Sequence, residues 1–179
     1  MMTKKWAVLA LGVTTSMALL ATACGSSTSS SEAVPNGTTV SATKATPTAS
    51  VNYGSQFLAD AAPVNTALAA FKAAVTSWAN ANGTASQATV FVTPMVNAFK
   101  TFEAKLSTQT WPVSARNDVH SLVAAVSALS GDVSELPSLD PSSSSTWVAQ
   151  LRRDEATQSA ADSTVRSDLG LPPYSASAG

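Results

Sequence analysis

One histidine and one cysteine supply the only imidazole and the only thiol in the chain, beside 11 acidic and 10 basic residues. His120 follows Arg116 by one helical turn, and Gln158, Asp162 and Arg166 recur four residues apart further on. Height matching across antiparallel helices sets His120 level with about Ala160, flanked by Asp162 and Gln158, with Arg116 one turn away opposite Arg166. His120, Arg116, Asp162 and Gln158 are therefore the candidate contacts of a polar ligand site between the third and fourth helical stretches. The bland alternative is a partly exposed histidine paired across a helix seam. Asp162 and Arg166, acid first, form an intrahelical pair that contributes only about 0.3–0.5 kcal/mol and needs no function to explain it.

Other chemistries lack their parts. A di-iron bundle requires Glu-x-x-His on two helices, and the chain has no such pair. Haem has no Cys-x-x-Cys-His, and Met95, the partner His120 would need, stands on an apolar stripe where methionine is ordinarily core. Zinc would have a single histidine and no spare cysteine. No Gly-x-Ser-x-Gly elbow or phosphate loop stands out, and Ser41-Ala-Thr-Lys44 spells a nucleophile motif inside a tract with no fold to position it. The expectation is no metal, no cofactor and no enzyme; an enzyme using His120 as general base would require a carboxylate within hydrogen-bond reach and an open cleft.

Four stretches share one helical period. Phe57, Ala61, Val64, Leu68, Phe71, Val75 and Trp78 mark a helix from about Ser55 to Asn80, with Ser55 able to cap it and Gly83 just beyond. Ala88, Val92, Met95, Phe99, Phe102 and Leu106 mark a second, opened by a Thr84/Gln87 capping box. The third runs through Ala115, Val119, Leu122, Val126, Leu129, Val133 and Leu136, with Pro112 in its first turn and Pro137 after it. The fourth, about Ser145 to Leu169, carries Trp147 or Val148, Leu151, Gln158, Ala161, Val165 and Leu169 inward and ends at Gly170, Leu171 and Pro172. Pro63 and Pro94 fall inside the first two, where kinks are expected. Short connections force neighbours antiparallel, so the fold expected is an all-α, up-down-up-down four-helix bundle behind a disordered N-terminal tether.

The fourth stretch is the odd one, because any inner face that it presents includes Gln158 and one or two of Asp154, Glu155 and Asp162. A buried carboxylate without a partner is costly. The reading favoured is that the helix turns these groups to solvent, leaving an interface rich in Ala149, Ala156, Ala160 and Ala161; the other is that they meet Arg116, His120 or a ligand.

Before the helices come Lys4 and Lys5, an uncharged run from Trp6 to Leu20, then small residues and Cys24. The run is about 15 residues, short of the roughly 20 that cross a bilayer as a helix, which makes it a secretory signal. Leu20-Ala21-Thr22-Ala23-Cys24 resembles the lipobox of bacterial lipoproteins, with Ala23 in the small-residue position and Ala21 where that pattern most often has Leu. The resemblance implies cleavage before Cys24, lipidation (palmitate and diacylglycerol) of its sulfur, and anchoring on the extracytoplasmic face of the cell membrane. An unpaired thiol on an exported chain is also a liability that thioether formation removes. From Gly25 to Ser50, 15 of 26 residues are Ser, Thr or Pro, too few apolar groups to offset ordering entropy. The division expected is 1–23 signal peptide, 24–54 lipidated cysteine and linker, 55–171 bundle and 172–179 flexible tail.

Without Lys4 and Lys5 the balance is 8 basic against 11 acidic side chains, and the basic ones are scattered, so no stripe exists to neutralise nucleic-acid phosphates. Alanine is abundant and isoleucine absent, a bias of high-GC genomes, and Val165 to Pro173 resembles the closing segment of actinobacterial exported proteins, which implies no activity. The function expected is a lipid-anchored cell-envelope protein with a non-catalytic binding or scaffold domain, engaging an envelope protein or a small molecule. The alternative is a carrier of a small apolar or amphipathic ligand held near Trp78, Phe99 and Trp147, which would show as a void of a few hundred Å³.

Overall fold

A computed structural model describes residues 51–140 and 143–173. The signal segment, Cys24 and most of the tether and tail lie outside them. Four helices form where the apolar period runs: α1 (Tyr53–Asn80), α2 (Ala85–Thr108), α3 (Arg116–Glu135) and α4 (Ser144–Asp168), with a turn of 3-10 helix at Leu136–Ser138. Each packs on the next, α1 on α2, α2 on α3 and α3 on α4, giving the all-helical up-down-up-down bundle that the spacing predicts. No helix among the described residues is long and apolar enough to cross a membrane.

The helix ends follow local chemistry. Asn52, not Ser55, caps α1: its Oδ1 accepts from the Ser55 N–H at 2.9 Å, so the helix starts two residues earlier than the period alone indicates. The Thr84/Gln87 box is present at α2, with the Thr84 N–H donating to Gln87 Oε1 at 2.7 Å and the Gln87 N–H to Thr84 Oγ1 at 3.3 Å. Pro112 is not in the first turn of α3; its carbonyl accepts from the Ala115 N–H in a turn ahead of the helix, which begins at Arg116. Pro63 and Pro94 sit on exposed faces, as do Ala59 and Val90 four residues back, so water can reach the carbonyls that the prolines leave without a donor. Both αL terminations close with a bond from the sixth residue to the first: Gly83 N–H to Trp78 O after Asn82, and Leu171 N–H to Arg166 O after Gly170, each at 2.8 Å.

The core is continuous from pole to pole. Phe57, Met95, Phe102, Leu106, Leu122 and Leu129 are all less than 2% exposed. Each of the three connections is closed by an indole: Trp78 Nε1 donates to Thr84 O between α1 and α2, Trp111 Nε1 to Leu106 O between α2 and α3, and Trp147 Nε1 to Asp132 O between α3 and α4. Leu106 and Asp132 supply last-turn carbonyls that have no partner within their own helices, so these two indoles bury apolar area and cap a helix end at once. At the opposite end of α1, buried Asp60 takes Lys105 at 2.9 Å and the Gln109 amide at 2.6 Å, joining the start of α1 to the end of α2. Gly54 lies against Leu171, so the chain enters and leaves the bundle at this same pole.

Candidate functional site

Helix α4 does not turn its polar groups to solvent. Glu155, Gln158, Asp162 and Arg166 are buried with Trp147, Leu151 and Val165, whereas Ala149, Ala156 and Ala160 are exposed. The reason is anchoring at both ends: the Trp147 indole holds the first turn to α3, and Val165 with the Leu171 termination holds the last against the α1 end. A straight helix between those anchors presents the residues at spacings of 4, 4, 3, 4 and 3, which are 147, 151, 155, 158, 162 and 165.

Two cross-helix relations give the edges of α4 their neighbours. Asp154 shares a hydrogen bond with Asp132 of α3, and Asp168 with Asp118 of α3. These pairs are 14 residues apart on both helices and set the α3–α4 register, which places His120 level with position 166 rather than Ala160. The other edge faces α1, because the charge of Glu155 acts on Lys72. Positions 155, 162 and 166 fall within about 40° of one another around the helix, so Asp162 and Arg166 belong to that same α1-facing edge. The backbones of α1 and α4 do not approach as closely as the three sequential helix pairs do, leaving this the wide seam of the bundle.

The four residues expected to gather do not. His120 and Arg116 are exposed on α3, and Arg116 Nε donates to the Trp111 carbonyl at 3.1 Å, stabilising the turn before α3. Asp162 and Gln158 are buried on α4, on the far side of a register six residues removed from the one that joined them to His120. The displacement arises at the α3–α4 connection, where the 3-10 turn Leu136–Ser138 carries the chain on past α3 before α4 begins.

What the structure assembles instead is Asp162 and Arg166, 4% and 3% exposed, with Arg166 Nε 3.6 Å from Asp162 Oδ2. That separation is too long for a hydrogen bond. Arg166 Nε and Nη1 and Asp162 Oδ1 have no hydrogen-bond partner in the protein. Burial pushes the Asp162 carboxyl up to about 6 against the pull of Arg166. Lys72 is lowered from its ordinary value by burial, with Glu155 opposing. On the α3 edge Asp132 is pushed up to about 6 by burial and then by its hydrogen bond and repulsion with Asp154, with Arg153 opposing. Asp168 is raised chiefly by its hydrogen bond with Asp118. The sequence alone gives Arg166 and Glu155 no place among the candidate contacts; their signal is the 4-4-3-4-3 run from Trp147, masked because Ala161 and Leu169 offer an equally periodic apolar stripe.

Beneath the seam, Leu68, Phe71, Met95, Phe99, Val133 and Leu151 line a void of about 20 Å³ with Lys72 and Glu155 at its rim, space for one water. Phe99 borders it, but Trp78 and Trp147 do not. Beside Trp78 and Phe91 an open recess of about 270 Å³ marks the α1–α2 loop. Among the described residues no group of three or more His, Cys, Asp or Glu side chains is placed to hold a metal ion. No protein-family model, curated protein or solved structure matches the chain.

Proposed function

We propose that the chain is a lipid-anchored protein of the cell envelope, held to the extracytoplasmic face of the membrane through Cys24, whose helical domain binds a partner molecule without catalysing a reaction. The anchor rests on the signal segment and the residues around Cys24. The observation that supports binding is the Asp162–Arg166 edge, where a guanidinium and a carboxylate are taken from water without a full set of protein partners. Groups left in this condition lower stability by roughly 1–3 kcal/mol each, which a purely structural bundle has no need to carry. A catalytic role for His120 finds little support, since the side chain is exposed and apart from Asp162. The carrier reading fares worse than the binding-module reading at the core, where the void holds about one water rather than a ligand.

Two measurements test this. In the native host, Cys24→Ser is expected to move the protein from the membrane fraction to the soluble or secreted fraction; unchanged membrane retention would remove the lipid anchor. Native mass spectrometry of the full chain taken gently from the envelope is compared with the same chain refolded from denaturant. A reproducible extra mass, or a cross-linked envelope protein, is the expected outcome, and neither appearing would remove the binding role.

A further inference from the structure

We propose that the α1–α4 seam is a binding site for a small organic carboxylate, with Arg166 as the group that grips it and Asp162 and Gln158 beside it. The inference rests on the binding-module reading and names its site and ligand class.

Two independent observations converge on it. Arg166 is 97% buried by its 3% exposure, yet its Nε and Nη1 make no hydrogen bond and its nearest acid stands 3.6 Å off. A buried guanidinium is planar, permanently charged and rich in donors, and in such a state it favours an oxyanion strongly. The position is also in the one seam between neighbouring helices whose backbones stand apart, so a small molecule can enter by parting side chains without unpacking two helices.

The charge balance selects among oxyanions. Asp162 and Glu155 share the edge with Arg166 and Lys72, so the seam is near neutral and has one guanidinium to offer. A monoanionic carboxylate replaces Asp162 as the counter-charge of Arg166, and Asp162, already raised toward neutrality by burial, takes up a proton and donates to the ligand. A phosphate dianion would meet two acids and only one buried guanidinium, and inorganic phosphate and a lipid phosphate are disfavoured on the same ground.

The test uses the mature chain from Cys24 to Gly179 carrying Cys24→Ser, titrated with acetate, hexanoate and inorganic phosphate by heteronuclear NMR. Saturable shifts at Asp162, Arg166 and their α1 neighbours are expected with acetate and hexanoate, and at least tenfold weaker in Arg166→Met. Arg166→Lys, which keeps the charge and loses the planar fork, is expected to fall between, and serves as the folded control should the Met variant fail to fold. Shifts that do not saturate with any acid, or that persist in both variants, would overturn the site. Phosphate binding as tightly as hexanoate would overturn the choice of carboxylate. Loss of the site beside a surviving extra mass or cross-link from the envelope would leave the binding-module reading standing.

Discussion

Gly83 and Gly131 show how far one atom's surroundings decide its effect. A methyl on Gly83 would overlap the Trp78 indole, which itself donates to Thr84 O and holds the α1–α2 turn. A methyl on Gly131 meets nothing within 4 Å, on the exposed side of α3. Gly83→Ala is therefore expected to destabilise by about 1–3 kcal/mol through overpacking, and Gly131→Ala to stabilise by about 0.5–1 kcal/mol through a stiffer unfolded chain and better helix propensity. Thermal denaturation of the two variants should move the midpoint in opposite directions. Gly83 was legible in the sequence as a helix end. Its steric role was not, because nothing in the spacing says that Trp78 folds back over its own loop.

At the scale of the element, the α3–α4 seam carries carboxyl pairs at both of its ends, Asp132 with Asp154 and Asp118 with Asp168. Asp132 and Asp162 both lie near 6 in the folded protein, above the ordinary carboxylate value of 3.8. The folded state then holds protons that the unfolded chain has released between about pH 4 and 6. Stability from these groups is complete below the unfolded value and is lost as pH rises through the folded value. The melting temperature is expected to rise on going from pH 7 to pH 5, the reverse of ordinary acid sensitivity, with Asp162 contributing about 1 kcal/mol over that interval. Asp132→Asn keeps a hydrogen bond to Asp154 while removing one charge, so it should raise the melting temperature at pH 7 and flatten the pH slope. A slope equal to that of the unsubstituted protein would show that the pair does not titrate as described. The apolar stripes of α1, α2 and α3 were readable residue by residue, since each has one face and one period. The face of α4 was not, because Gln158 and its acids compete with Ala161 and Leu169, and only the tertiary anchors at Trp147 and Leu171 choose between them.

Across the whole molecule the fold class, the helix order and the common pole of the two chain ends follow from period and loop length. The site does not, because it depends on the register between α3 and α4, and a six-residue error there separates His120 from Asp162 altogether. Helix α4 combines close packing on one neighbour only with a buried polar stripe, so its hydrogen bonds should open at lower cost than those of α2 and α3. Hydrogen exchange followed by mass spectrometry is expected to show α4 amides exchanging fastest among the four helix interiors; equal protection across the bundle would mean that the wide seam does not weaken it.

Gly54 against Leu171 puts both attachment points of the domain at one end, and this has a mechanical consequence. A load applied between residues 51 and 173 peels α1 and α4 apart from that end, breaking contacts one after another as a zip opens, instead of shearing whole helix faces at once. Gly54–Leu171 and the Asp60–Lys105–Gln109 clamp are the first to take the strain. The domain should yield under a weak pull along this axis while resisting one applied between its two poles.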